Sequence, residues 1–303
     1  MIFLLAAVGL ISGGLWFYTP DLPRAALEAQ YAQPPSQFIE VSGLRMHVRD
    51  TGPKNGAPVV LLHGLASSLH TWDAWAAALS KTHRVIRFDL PGFGLTGPDP
   101  TRDYSDARDV AVLLALMDAL SVPRASLIGN SLGGKLAWMF ASEHPDRVDK
   151  LILISPDGFA SRTFAYHKKL QVPWLADLLP YTLPTALLRM ALAPAYGDKD
   201  RLTDATVQRY RDMILAPGVR QALLDRTRQV MLEPPGPRLR RIQAPTLLVW
   251  GEKDRLIPYT NAGAYLAAIP NCRLVALPDL GHVPMEEAPA RSLVPVAAFL
   301  AGS

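Results

Sequence analysis

The chain has 303 residues, 49% of them hydrophobic and 19% charged, with a formal net charge of +4, a composition that suits a large buried core in one large domain or two small ones. The charge is spread along the sequence, and its densest basic cluster, Arg238, Arg240 and Arg241, is too short for a nucleic-acid patch. A single cysteine, Cys272, excludes an intrachain disulfide, and no C-x-x-C pair or H-E-x-x-H supports a metal site; no cofactor is expected.

The N-terminus comes first in chain order. From Ile2 to Pro20 no residue is charged, and Trp16, Phe17 and Tyr18 close the segment as aromatic residues do at a membrane interface. Roughly 18 helical residues reach about 27 Å, barely a bilayer core. Residues 1–20 are therefore expected to be an N-terminal hydrophobic helix that anchors the chain in a membrane by a single pass. A cleaved export signal, giving a periplasmic or secreted protein, is the alternative, although the positive n-region is missing. A buried helix of the globular domain is a third reading. Residues 21–36, rich in Pro, Ala and Gln, read as a linker with at most one helical turn.

Strand-like segments follow at Phe38 to Val41, Leu44 to Asp50 and Val59 to Leu62, with Ser42-Gly43 suggesting a hairpin between the first two. Val85 to Asp89 and Ser126 to Gly129 are strands, Asp106 to Leu120 and Leu136 to Glu143 helices. Leu151 to Ser155, Thr246 to Trp250 and Arg273 to Leu277 complete the strands, before a last helix from about Glu286 to Leu300. Such alternation predicts an α/β fold with a mainly parallel sheet covered by helices on both faces. Between Ser155 and Thr246 about ninety residues carry helical patterning broken by prolines. That is too long for an ordinary connection and reads as a helical lid at the carboxyl edge of the strands.

Gly129-Asn130-Ser131-Leu132-Gly133 stands between a strand and a helix, the setting of a nucleophile elbow, and makes Ser131 the candidate nucleophile. Serine needs a base and an acid to orient that base. His282, in a glycine-preceded loop after the last strand, is the candidate base. His63 belongs to a turn motif, His47 to a strand, and His70, His83, His144 and His167 read as surface or helix-end residues. Asp254, after the strand Thr246 to Trp250, is preferred as the acid over Asp157, whose Pro-Asp-Gly setting is also a ready turn; Glu252 and Asp279 are weaker options. His63-Gly64-Leu65 ends a strand upstream, so the N–H groups of Leu65 and Leu132 are the candidate oxyanion donors. Gly92-Phe93-Gly94-Leu95-Thr96-Gly97 matches G-x-G-x-x-G, but the surrounding prolines argue for an irregular loop rather than a dinucleotide site.

Leu61-Leu62-His63-Gly64, Asp89-Leu90-Pro91-Gly92-Phe93-Gly94, Gly129-Asn130-Ser131-Leu132-Gly133-Gly134, Trp250-Gly251-Glu252-Lys253-Asp254 and Gly281-His282 together resemble the α/β-hydrolase family over about Phe38 to Leu300. The resemblance implies an eight-stranded, mostly parallel sheet with a helical cap inserted between strands six and seven, and Ser131, Asp254 and His282 as a triad. The expected core is then 37–155 and 246–303, with the cap at 156–245. Ser131 excludes the relatives that use an aspartate nucleophile. Relatives that cleave carbon–carbon bonds share a similar elbow but usually carry tryptophan after the histidine, where this chain has Val283. The leading expectation is a membrane-tethered, serine esterase or lipase-like enzyme acting on an apolar or lipid-derived small-molecule ester. Carbon–carbon hydrolysis or acyl transfer by the same triad and a non-catalytic receptor are the alternatives. Trp174 and Val283 are candidate substrate contacts, and Leu178, Tyr181 and Met190 are possible pocket residues in the cap.

Overall fold

The computed structural model describes residues 18–160 and 165–302. Its strands are β1 Ser36–Val41, β2 Leu44–Thr51, β3 Pro58–Leu62, β4 Arg84–Phe88, β5 Ala125–Asn130, β6 Val148–Ile154, β7 Thr246–Gly251 and β8 Cys272–Leu277. They form one eight-stranded sheet in the order β1-β2-β4-β3-β5-β6-β7-β8. β2 runs antiparallel to β1 and β4, and every other neighbouring pair is parallel. The central strands β5 and β7 are buried at every position, as a parallel sheet covered on both faces requires. The expected hairpin closes at Ser42 and Gly43, with φ 53° and 81°, the two positive angles a two-residue turn needs to match strand twist.

Helices Asp73–Leu79, Asp106–Ala119, Leu132–Glu143, Ala262–Ala268 and Pro289–Ala301 cover the sheet. The expected single last helix is two, because Pro284–Glu287 ends before Pro289 opens the next, a proline being tolerated where the first N–H is unpaired anyway. Sequence patterning missed Asp73–Leu79 and Ala262–Ala268. Both are seven residues long and alanine-rich, too short to show an amphipathic stripe. Between β6 and β7 lie the helices Thr185–Leu192, Asp204–Ile214, Val219–Gln229 and Gly236–Leu239. Isolated bridges Tyr166↔Leu232 and Lys169↔Met231 tie the ends of this insertion together.

The expectation of a membrane anchor and a membrane location is corrected. Residues 1–17 lie outside the described residues, and among the described residues no helix is long and apolar enough to cross a membrane. Nor do the next residues stand apart from the domain. Thr19 N–H donates to the Tyr181 carbonyl at 2.8 Å, Leu22 N–H to Leu215 at 2.8 Å, and Asp21 takes Arg220 Nη2 at 2.6 Å. The helix Arg24–Tyr31 continues this strap onto the sheet side, with Arg24 Nη1 on the Leu95 carbonyl and Arg49 Nη2 on that of Tyr31, both at 2.9 Å. A stretch read from composition as a spacer thus grips both the inserted helices and the sheet domain.

A buried ion pair makes the same connection from inside. Arg226, in the inserted helix Val219–Gln229, gives two hydrogen bonds to Asp109 at 2.6 and 3.0 Å and a third to the Pro91 carbonyl. Both side chains are only 4% exposed. Burial pushes the Asp109 carboxyl up against the opposing pull of the guanidinium. Arg226→Ala would strand a carboxylate in an apolar interface. The expected loss is about 3–5 kcal/mol of stability, read as a lower urea midpoint, whereas a conservative exchange of an exposed arginine such as Arg124 should be nearly silent.

A second buried network lies under the loop after β3. Asp89 accepts from Leu69 N–H, Leu95 N–H and His47 Nδ1 at 2.7–2.8 Å, while Thr96 Oγ1 donates to its carbonyl. Burial alone would raise the Asp89 carboxyl, but neighbouring His47 and its hydrogen bond hold it well below the usual range. His70, its ring tilted 36° against that of His47, is buried with Nε2 on the Tyr31 carbonyl; burial lowers its pKa to about 4. The unfolded chain takes up this proton first, near pH 6.5. Stability contributed by neutral His70 is therefore intact above about pH 6.5 and falls progressively toward pH 4, by on the order of 3 kcal/mol. Urea midpoints measured across that window should drop more steeply for the wild type than for His70→Gln.

Candidate active site

All parallel strands end on one edge, and the candidate residues come from four of those ends. Ser131 follows β5 with φ 55° and ψ −118°, a conformation rarely adopted by a side chain-bearing residue and stored here by its surroundings. The flanking glycines explain themselves by space. A Cβ on Gly129 would lie 2.2 Å from the Gly133 oxygen, and one on Gly133 would lie 2.2 Å from the Leu62 oxygen. Gly134 meets Pro156 at 2.9 Å in the same sense. The helix Leu132–Glu143 can therefore start directly against β3 and β5, holding the serine at the turn.

Asp254 and His282 are brought together. His282 Nδ1 and Asp254 Oδ2 are 2.7 Å apart, and both side chains are nearly inaccessible. The other carboxylate oxygen of Asp254 accepts from Leu256 N–H at 2.8 Å and Ile257 N–H at 2.9 Å, which fixes the plane of the group. The two loops that carry them press backbone on backbone: a Cβ on Gly251 would sit 2.1 Å from the Gly281 oxygen. Asn130, one residue before Ser131, joins the elbow to this pair, its Nδ2 donating to the carbonyls of His282 at 2.9 Å and Ile154 at 3.2 Å. Sequence reading quoted Asn130 only within a motif; its role as a buried tie needs the spatial approach of β5 to the loop after β8.

Asp157 is not the hydrogen-bonded partner of His282. Its backbone belongs to the elbow, with its N–H on the Ser131 carbonyl and its own carbonyl accepting from Trp138 Nε1 and Tyr265 OH, both at 2.9 Å. Burial raises its carboxyl, with Lys135 pulling the other way.

The loop after β3 lies against the elbow: a Cβ on Gly64 would be 3.1 Å from Asn130 Oδ1 and 3.3 Å from Ser131 Cβ. His63 sets that loop. Its Nε2 accepts from Leu90 N–H at 2.9 Å and its Nδ1 donates to the Gly64 carbonyl at 2.8 Å, so the ring is a neutral tautomer with burial holding its pKa down. Leu132 is the first residue of its helix, where backbone N–H groups lack intrahelical partners. Leu65 points its side chain outward, 52% exposed, while its backbone stays in the loop beside Ser131. Val283 is buried directly after His282. Trp174 is 74% exposed, and Leu178, Tyr181 and Met190 are exposed too, so the cap residues picked from sequence present their bulk outward.

The glycine-rich segment after β4 opens no helix, the next one beginning at Asp106. It closes on itself through Gly92 N–H to Gly97 O and Gly97 N–H to Phe93 O, and a Cβ on Gly94 would lie 2.3 Å from Asp89 Oδ2. Gly94 thus leaves room for the Asp89 network.

Comparison with known proteins agrees with this geometry. A 2-hydroxy-6-oxononadienedioate/2-hydroxy-6-oxononatrienedioate hydrolase of Comamonas testosteroni is 31% identical over 263 residues, covering 82% of this chain and 90% of that protein. A 2-hydroxy-6-oxo-6-phenylhexa-2,4-dienoate hydrolase of Burkholderia cepacia matches at 31% identity over the same length. Among solved structures, a meta-cleavage product hydrolase (CumD) superposes with a TM-score of 0.76 at 26% identity, covering 88% of this chain and 98% of that one. Residues 57–289 match the family model for the alpha/beta hydrolase fold, and the chain belongs to that family.

Proposed function

We propose that Ser131, Asp254 and His282 act as nucleophile, acid and base in a hydrolase that cleaves the carbon–carbon bond beside a ketone in a 2-hydroxy-6-oxo-diene acid. The observation that carries the substrate class is the 31% identity, over 82% of the chain, to hydrolases of such acids. The Gly129-Asn130-Ser131-Leu132-Gly133-Gly134 elbow supports it.

The chemistry follows from the positions. With Nδ1 of His282 committed to Asp254, Nε2 is the nitrogen left to take the Ser131 proton. Once the dienol of the substrate has tautomerised to its keto form, Ser131 Oγ attacks the C6 carbonyl, and the Leu65 and Leu132 N–H groups hold the resulting oxyanion. The C5–C6 bond breaks, its electron pair passing into a dienolate conjugated with the C2 carbonyl. The proton on His282 goes to that leaving group. Water, deprotonated by His282, then attacks the acyl ester on Ser131 and releases the second acid. Asp254 stays ionised and orients the imidazole.

Ester hydrolysis by the same triad is the second reading, and two observations favour it. Val283 stands where carbon–carbon hydrolases usually have tryptophan. In addition, Arg209, a cap guanidinium near the loop after β3, is already bonded to Glu286 at 2.6 Å and so is not free to receive a substrate carboxylate.

The test sets 2-hydroxy-6-oxo-6-phenylhexa-2,4-dienoate beside p-nitrophenyl esters from acetate to palmitate, with wild type and Ser131→Ala. Ser131-dependent release of benzoate, faster than turnover of any ester, is expected. Ester turnover without benzoate would replace the carbon–carbon reading. On whichever substrate is cleaved, Asp254→Asn should lower kcat by about three to four orders of magnitude and Asp157→Asn far less. A larger loss in Asp157→Asn would reassign the acid.

A further inference from the structure

We infer that Glu287 is a positioning residue for His282, tying the loop that carries the base to one turn of the cap; the inference rests on reading His282 as the base. Glu287 lies five residues beyond His282 and is only 5% exposed. An unpaired carboxylate at that depth would be costly, and this one is fully engaged. Its Oε2 accepts from Gly281 N–H at 2.7 Å and Gly197 N–H at 3.1 Å, and its Oε1 from Asp198 N–H at 2.9 Å. Gly281 immediately precedes the base, whereas Gly197 and Asp198 belong to the inserted region. One carboxylate therefore holds both.

The contact around it is backbone on backbone. A Cβ on Gly281 would lie 2.5 Å from both the Ala195 oxygen and the Gly197 nitrogen, and one on Gly197 would lie 2.6 Å from the Asp279 oxygen. His282 N–H itself donates to the Ala195 carbonyl at 2.7 Å. From the far side Arg201 Nη1 holds the Glu287 carbonyl at 2.9 Å. The base's own N–H thus bonds directly to the 195–198 turn, and the preceding Gly281 N–H meets the Glu287 carboxylate that Gly197 and Asp198 share. Two geometric needs meet there: Nε2 must reach Ser131 while Nδ1 stays on Asp254, and a rotation or shift of the Gly281–His282 peptide spoils both. Glu286, its neighbour, meets side chains rather than backbone N–H groups, accepting from Tyr196 OH in the same turn and from Arg209 Nη2, both at 2.6 Å.

Glu287→Gln keeps the volume and turns one acceptor oxygen into an NH2 that faces backbone N–H groups. Two signals read the consequence in the full chain: the rate at which a fluorophosphonate labels Ser131, and the far-downfield proton resonance of His282 Nδ1–H on Asp254. A folded Glu287→Gln that labels about 10- to 100-fold more slowly, with that resonance broadened or lost, supports the inference. Labelling at the wild-type rate with the resonance intact overturns it. A purely structural role would lower the unfolding temperature and leave both signals in the folded fraction unchanged, which also overturns it. Should Glu287→Gln not fold, Arg201→Gln loosens the same turn from outside: slower labelling supports the inference and an unchanged rate sinks it. A wild-type chain that does not label at all counts against Ser131 as nucleophile. The His282 resonance then decides the positioning separately, by its loss or its persistence in the variant.

Discussion

The tight approach of the start of the helix Leu132–Glu143 to the ends of β3 and β5 governs the rest of the site. At Gly129 and Gly133 any side chain would overlap backbone by more than an ångström. Because nothing intervenes, the helix begins at the strand end itself, and the residue between strand and helix has no room for an ordinary dihedral. Ser131 takes the strained one. Strain of this kind costs on the order of 1–3 kcal/mol and persists only where packing imposes it. Here the imposing structure is the fully buried β5 and the end of β3 beside it. The same approach brings Gly64 to Ser131, so the proposed nucleophile and the loop proposed to hold the oxyanion are set by one packing event rather than two.

Around that approach, buried carboxylates act as fixed connectors, each gathering donors from segments far apart in sequence. Asp89 collects N–H groups from the loops after β3 and β4. Asp109 takes Arg226 across from the cap, and Glu287 takes three N–H groups from two loops. Removing such groups from water is worthwhile only when most of their lone pairs are met. They therefore specify one arrangement of loops even where their net contribution to stability is small. The loops at this edge carry little regular structure of their own, so this is where specification is needed.

Sequence made the sheet legible because its signals are local. Apolar runs, turn pairs and the order of glycines placed eight strands and the elbow within a few residues of their observed ends. Both Asp254 and Asp157 follow a strand, and Asp254 is preferred because Pro-Asp-Gly around Asp157 is also a ready turn; the structure sets Asp254 Oδ2 2.7 Å from His282 Nδ1. What could not be read depends on pairs distant along the chain. Asn130 bonds to His282 across 152 positions, and Arg226 to Asp109 across 117. The strap from Asp21 to Tyr31 looked like a linker because its ties to Leu215 and Arg220 are backbone and ionic, with no apolar period to betray them. Trp174 and its neighbours were picked for their apolar character, a property that does not say which way a helix faces.

The proposed triad would serve an ester and a ketone alike up to the tetrahedral intermediate, so the two candidate reactions part at the leaving group. An alkoxide leaves with little help beyond a proton from His282. A carbanion must be delocalised, and a 2-oxo acid leaving group brings its own carboxylate, whose charge needs a partner in the pocket. Among the described residues, the buried cap guanidiniums Arg226 and Arg220 pair with Asp109 and Asp21, and the half-buried Arg209 pairs with Glu286. Carbon–carbon cleavage here would then draw on backbone N–H groups or on release of one of these pairs. Arg209–Glu286 is the pair to release, since Tyr210 beside it reaches both Glu286 and Ser67 in the loop that follows Gly64. On the proposed reading, the choice between the two reactions turns on whether Glu286 keeps Arg209 when an acid substrate enters.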